Sequence, residues 1–284
     1  MTQIVAFAGK KQSGKNTACN FILAMKLAEL GLCRVSRLSK DGEVEVSDIL
    51  GENHPETPWI PFKAPYVDTQ ALFDNELRPF IKMYGLADAL KEMAVSILGL
   101  DHQQVFGTDK DKNSDSTLKW EDMPGITTPE ELSKKGVTKA DAEKLGLIVH
   151  EKGIMTAREV LQYVGTDVFR KMNSDVWLTT LLNKIDSDAP EVALISDVRF
   201  ENEIAAVQEH GGMVIGLTRD PYEQTDRHAS EAEIEKCLKV CDIIIDNTSL
   251  TIPEQNEKIY YALQHLEVVM PRLTSPEEAA IIKE

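Results

Sequence analysis

The stretch Ile4-Val5-Ala6-Phe7-Ala8-Gly9-Lys10-Lys11-Gln12-Ser13-Gly14-Lys15-Asn16-Thr17 decides the fold. Its first five residues are uniformly apolar and end at a glycine. Such a run suits a strand covered on both faces, as in a parallel sheet. Beyond it, Phe21, Ile22, Met25, Leu27, Ala28 and Leu30 recur at helical spacing until Gly31 ends the pattern. Between strand and helix, Gly9 to Lys15 reads G-x-x-x-x-G-K, with Ser13 inside the loop. Gly9 and Gly14 let the backbone curl so that several N–H groups point inward, and the helix N-terminus adds its positive dipole end. Lys15 is then placed to bridge the β- and γ-phosphates of a nucleotide. The pattern departs at Asn16, where Ser or Thr is usual, and Thr17 follows one residue later. Two assignments stay open: Asn16 acting on Mg2+ through water, or Thr17 taking the metal or the α-phosphate. The plainer alternative is a glycine turn with solvated lysines, which the flanking strand and helix argue against.

Outward from this segment, Lys40-Asp41-Gly42-Glu43 sits between alternating runs and reads as a hairpin. Pro55, Pro58, Pro61 and Pro65 exclude a long helix after it, so 38–66 is taken as an insertion. Arg78 to Tyr84 reads as a strand, followed by a helix from about Leu86 to Leu98. The polar stretch 108–153 is either a covering insertion or a solvated surface loop. Thr156 to Val164 and Val168 to Ile185 read as consecutive helices, with Thr156 and Glu159 spaced as a capping box. Buried strands follow at Glu191–Ser196, Met213–Thr218 and Asp242–Asp246, with helices running to His210, over 229–240 and over 253–267. Strands alternating with helices predict one doubly wound α/β domain over 1–270. The tail 271–284 has little to anchor it.

The composition bounds the partners. The 284 residues carry 31 Lys+Arg against 47 Asp+Glu, a net charge of −16 with a pI near 4.9. So acidic a chain lacks the exposed basic footprint that a nucleic-acid backbone or an anionic membrane surface requires. A small anion needs only a local cluster of cations. Cys19, Cys33, Cys237 and Cys241 form no C-x-x-C pair, and Cys237 and Cys241 share a helix face as half-buried thiols. With no apolar run of membrane length and no basic leader, the expectation is a reduced, cytoplasmic protein.

Four further segments carry chemistry. Ile195-Ser196-Asp197-Val198-Arg199 is an apolar strand ending in an acid and an arginine, at the sheet edge where α/β ligands bind. Asp197 is a candidate for Mg2+ through water or for a substrate group, and Arg199 for a phosphate. Alternatively Arg199 pairs with Glu203 along the helix. Arg158 and Gln162 share a helix face ahead of Gly165-Thr166-Asp167, a tight turn with backbone donors; Trp177 follows, as substrate contact or as core. Arg219 stands directly after a buried strand, placed to reach a transferring phosphoryl group. Downstream of it, in Arg227-His228-Ala229-Ser230-Glu231, His228 reads first as a helix cap. Lys91, one turn into the helix after Tyr84, is a phosphate contact or a solvated lysine.

Taken together, Gly9–Thr17, Leu86–Glu92, Arg158–Asp167 with Trp177, Asp197–Glu203, Arg219 through Glu231, and Asp246-Asn247 resemble the bacteriophage deoxynucleoside monophosphate kinase family. The resemblance covers about 1–30 and 78–267, and is thin over 38–66 and 120–153. It implies a P-loop nucleoside-monophosphate-kinase-like fold, a three-layer α/β sandwich with a parallel sheet and insertions. The implied reaction moves the ATP γ-phosphoryl group to a 2′-deoxynucleoside 5′-monophosphate (dNMP), with Mg2+. By the resemblance, Gly9, Lys11, Ser13, Gly14, Asn16 and Thr17 hold ATP, and Lys15, Arg158, Arg199 and Arg219 neutralise charge during transfer. Lys91, Gln162, Gly165, Thr166, Trp177 and Asp197 meet the dNMP, and Thr17 and Asp197 serve Mg2+. Lys110 and Lys112 add a further phosphate contact. The implied partners are ATP and dNMP, with a homodimer compatible, in a host-cell cytoplasm.

Two other readings compete. A dephospho-coenzyme A kinase-like enzyme has a hydroxyl acceptor and needs a base, for which Asp88 is the candidate. A P-loop binding module holds nucleotide without transfer, but this sequence has more sheet-edge cations than binding requires.

Overall fold

A computed structural model describes residues 2–49, 60–62, 76–220 and 236–266. Pro55, Pro58 and Pro65, the Arg227–Glu231 segment, most of the helix expected over 229–240, and the tail 271–284 lie outside these residues. The chain divides into two compact units, Met1–Leu86 with Leu178–Glu284, and Ala87–Trp177.

The first unit is built on a parallel sheet. Its elements are β1 (Gln3–Gly9), α1 (Lys15–Glu29), β2 (Cys33–Leu38), β3 (Val44–Ile49), β4 (Ile60–Pro61), β5 (Ile81–Tyr84), α2 (Val176–Asp188, belonging here from Leu178), β6 (Val192–Val198), α3 (Glu201–Glu209), β7 (Met213–Leu217), β8 (Ile243–Ile245) and α4 (Ile252–His265). The sheet order is β8-β7-β1-β6-β5, every neighbouring pair parallel. Alternate β1 side chains divide between two apolar clusters, as the pleat requires. Val5 and Phe7 join α1 and α4 on one face, while Ile4, Ala6 and Ala8 join α2 and α3 on the other. This is the three-layer sandwich expected, consistent with a P-loop kinase-like fold.

The hairpin read at Lys40–Glu43 is present, with β2 antiparallel to β3, and β4 adds a third strand. Leu38, Val44, Val46 and Phe62 are buried in the α1 face of the core. This part of the supposed insertion therefore serves the core, and its first strand begins before residue 38.

The second unit has its own core, formed by Leu90, Ala94, Leu100, Val105, Met155, Val160, Tyr163 and Trp177 among others. The stretch 108–153 is folded, which overturns the reading of a solvated surface loop. It holds short helices at Asp109–Lys112, Pro129–Lys135 and Lys139–Lys144, and its ladders pair 115–119 with 154–156 and 126–127 with 148–149. Thr108, Thr128 and Thr138 cap these helices through their side chains. A second departure lies at 163–170. The expected tight turn at Gly165-Thr166-Asp167 is instead part of a π-helical segment, Tyr163–Arg170, directly continuing the helix Ala157–Gln162.

Candidate active site

Strand β1 delivers Gly9 to the carboxyl edge of the sheet, and the loop turns through Gly14 into α1. Gly9 has φ +153° and Gly14 φ +99°, backbone that a side chain rarely adopts. Space excludes one as well. A Cβ on Gly9 would meet the Leu217 carbonyl at 2.6 Å, and one on Gly14 would meet Gln255 Oε1 at 2.6 Å. Gln12, at φ +59°, holds a left-handed conformation without being glycine, a strain of the kind that gathers at functional loops.

Lys15 is buried, and its ammonium donates to the carbonyls of Gly9 at 2.8 Å and Lys10 at 2.5 Å. Ser13 Oγ lies 3.5 Å away. Burial, then the neighbouring Arg199 charge, lowers the Lys15 pKa to about 8, while Asp197 opposes them. Lys15, Asp197 and Arg199 therefore share one electrostatic site. Lys11 and Asn16 are exposed, and Thr17 is half-buried. A side chain at Gly42 of the hairpin would run into the Thr17 hydroxyl.

Asp197 reaches this site through an irregularity. Ala6 pairs with Ile195 and Ala8 with Val198, so Ser196 and Asp197 stand opposite Phe7 alone. Such a bulge re-aims side chains. The Asp197 carboxylate accepts the Leu86 N–H at 3.0 and 3.2 Å through its two oxygens. Glu203 does not pair with the Arg199 guanidinium. Its carboxylate accepts the backbone N–H groups of Arg199 (2.8 Å) and Phe200 (3.2 Å), capping α3. Arg199 is exposed, its guanidinium without an ion pair among the described residues.

A buried amide relay braces the loop from behind. Asn247 is 0 % exposed and Gln255 1 %. Asn247 Nδ2 donates to the Ser13 carbonyl (2.7 Å) and to Gln255 Oε1 (2.6 Å), and Gln255 Nε2 reaches the Gly14 carbonyl at 3.4 Å. Arg219 is tied to the same relay. Its N–H donates to Asn247 Oδ1 at 2.8 Å, its Nε to the Asn247 carbonyl at 3.1 Å, and its Nη2 to the Leu250 carbonyl. Lys10 pairs with Asp220 at 2.6 Å. Asn247 enters the sequence reading only through the resemblance, and Gln255 is missed. Neither carries a local signal, because each acts on the loop from more than 230 residues away.

Of the predicted cations, Lys11, Lys15, Arg199 and Arg219 belong to the first unit, and Lys91 and Arg158 to the second. In the second unit, Lys91 Nζ donates to Asp88 at 3.3 Å and Arg158 Nη2 to Asp109 at 2.7 Å. Gln162 and Thr166 are exposed and Gly165 is buried. Trp177 is 8 % exposed, donates its indole N–H to the Gly165 carbonyl at 3.0 Å and packs against Phe169. The structure thus gives Trp177 the core position that was one of its two readings. Lys110 is exposed and Lys112 half-buried on their short helix.

The donor set bears on the metal. Among the described residues no three His, Cys, Asp or Glu side chains gather as a cation cage. Mg2+ in phosphoryl-transfer sites commonly takes one or two carboxylates plus substrate phosphates and water, and Asp197 beside Lys15 fits that limited role. No helix among the described residues is long and apolar enough to cross a membrane.

The deoxynucleotide monophosphate kinase family matches residues 113–259, more than half of the 284. The chain belongs to that family. A putative deoxynucleotide monophosphate kinase of Acanthamoeba polyphaga mimivirus is 33% identical over 114 residues, 35% of this chain and 56% of that protein. The deoxynucleoside-5′-monophosphate kinase of Escherichia phage T5 is 41% identical over 56 residues, 19% of this chain and 22% of that protein. The matches therefore span about half of the first relative and under a quarter of the second. As a deoxynucleotide monophosphate kinase family member, the chain matches over Arg158, Asp197, Arg199, Arg219, Asn247 and Gln255. The match also takes in 120–153, where the resemblance was thin, and leaves Gly9–Thr17 and Lys91 outside.

Proposed function

We propose that this chain transfers the γ-phosphoryl group of ATP to a 2′-deoxynucleoside 5′-monophosphate, releasing ADP and a deoxynucleoside diphosphate. The observation that carries the proposal is the buried Lys15 at the end of a glycine-framed loop, electrostatically coupled to Asp197 and Arg199, in a member of this kinase family. The names of the two relatives agree with it.

The chemistry asks little of acid–base groups. An oxygen of the acceptor phosphate, already ionised, attacks the γ-phosphorus, and the bond to the β,γ-bridging oxygen breaks. Catalysis is then alignment and charge neutralisation. The N–H groups of the loop from Gly9 to Gly14, with Asn16 and Thr17, hold the ATP phosphates. On binding, the Lys15 ammonium exchanges the Gly9 and Lys10 carbonyls for phosphate oxygens. Arg199 neutralises charge developing on the transferring group, and Arg219, through its ties to Asn247, keeps the loop in shape beside the donor. Arg158 and Lys91 take the acceptor phosphate. Gln162 and Thr166 contact the acceptor nucleoside, and Trp177 holds the Gly165 backbone that supports them. Mg2+, when bound, supplies positive charge to the donor phosphates, with Asp197 its carboxylate. The compartment of this work is the cytoplasm.

The test is ADP release with ATP and Mg2+ across deoxy- and ribonucleoside monophosphates, with dephospho-coenzyme A as the contrasting hydroxyl acceptor. Turnover of at least one dNMP, reduced roughly 10²-fold or more in kcat/KM by Lys15→Ala, is expected. Turnover of dephospho-coenzyme A alone, or of nothing, overturns the proposal.

A further inference from the structure

In the unit Ala87–Trp177, the helix Ala157–Gln162 packs against Asp88–Ser96, His102–Phe106 and Asp109–Lys112. Two cations at this junction are each held by an acid. Lys91 Nζ lies 3.3 Å from Asp88 Oδ1 and above the Phe106 ring, 5.4 Å from its centroid. Arg158 Nη2 lies 2.7 Å from Asp109 Oδ1. The arginine differs in one respect: its Nε is buried and has no hydrogen-bond partner among the described residues.

A guanidinium presents Nε and Nη2 along one edge, a fork that matches two oxygens of a single oxyanion. Asp109 engages Nη2 and leaves Nε orphaned. Its position explains why. Asp109 is the first residue of a helix fixed by reciprocal hydrogen bonds between Thr108 and Asp111, so its carboxylate approaches from a set backbone. Buried donors seldom stay unpaired, and a half-used fork is better filled by an anion that brings two oxygens together. A phosphate monoester does so, and its second negative charge also suits Lys91. The pair it must displace is weak, because the Asp109 side chain is 70 % exposed and that of Arg158 36 %.

We infer that Asp109 is an internal anion that occupies Arg158 in the free protein and is displaced by the phosphate of the acceptor, so that it sets acceptor affinity. The inference rests on the reading of Arg158 as the acceptor's phosphate contact. It assigns Asp109 a competing role, opposite in sign to that of a substrate contact.

The experiment uses the full chain with Asp109→Asn and, as a second variant, Asp109→Ser. Calorimetry measures binding of dGMP, dTMP and dCMP, of the matching nucleosides, and of inorganic phosphate. Removing the competing carboxylate is expected to tighten monophosphates and inorganic phosphate about two- to fivefold, the scale of an exposed ion pair. Nucleosides and the KM for ATP stay unchanged. Arg158→Lys keeps the charge but removes the fork, and in that background Asp109→Asn gives no gain. Unchanged or weaker phosphate binding in both variants at parent-like Tm overturns the inference, as does phosphate binding detectable in neither parent nor variants. If no deoxymonophosphate turns over while Asp109→Asn still tightens inorganic phosphate, the kinase reading fails and the internal anion stands.

Discussion

Lys15 is a cation placed where its charge is costly. Burial and Arg199 lower its pKa from 10.5 to about 8, and Asp197 restrains the fall. The unfolded chain thus holds this proton more tightly than the fold does. The penalty is fully present below about pH 8 and is relieved as pH climbs from there toward 10.5, so this group adds stability across that window. Nucleotide binding has the opposite slope, because phosphate prefers the charged ammonium. ATP affinity is expected to fall as pH rises through 8, with proton uptake on binding at pH 8.5. Calorimetry in buffers of different ionisation enthalpy measures both. Arg199→Ala removes a repelling neighbour and should move the midpoint to higher pH; a midpoint that stays or falls contradicts this account. Lys15, Gly9 and Gly14 were legible in the sequence because their spacing is local. Asn247 and Gln255, which hold the Ser13 and Gly14 carbonyls, were not, since their meaning appears only when the chain ends meet. Trp177 was legible as a residue of consequence but ambiguous in direction, and its hydrogen bond to Gly165 settles which way the indole faces.

Three core strands were legible because each contains an apolar run: Ile4–Ala8, Val192–Ile195 and Met213–Leu217 keep the boundaries read from them within a residue or two. The segments from 108 to 153 escaped because their helices have four to seven residues, too short for a period to register. Tyr163–Arg170 escaped for another reason. Gly165 looks like a helix stop, yet it sits inside a π-helical segment because the neighbouring side chain leaves no room for more. A Cβ there would lie 2.6 Å from Leu90 Cδ2. Gly165→Ala should destabilise the protein by about 1–3 kcal/mol through overpacking. Leu90→Ala in the same chain should recover part of that loss despite being costly alone. A double-mutant cycle in urea reads the coupling, and strict additivity rejects this explanation of the glycine.

Within a net charge of −16, several cations sit in small, acid-flanked settings: Lys10 with Asp220, Lys91 with Asp88, Arg158 with Asp109. Elsewhere the surplus acids repel one another, and salt screens that repulsion. Raising NaCl from 20 to 300 mM should therefore raise Tm, by roughly 2–4 °C for each kcal/mol of repulsion relieved. A Tm that falls would mean that the ion pairs outweigh the surplus charge. The order β8-β7-β1-β6-β5 has a consequence for how the chain is born. β1 leaves the ribosome before both of its partners, which lie beyond residue 190, and the amides that brace Ser13 and Gly14 come later still. At translation rates of about 5–20 residues per second, the nascent segment carrying the Gly9–Lys15 loop waits on the order of tens of seconds for its neighbours. Through that interval Ile4-Val5-Ala6-Phe7-Ala8 is an apolar strand without its sheet neighbours, a segment that a chaperone would shield.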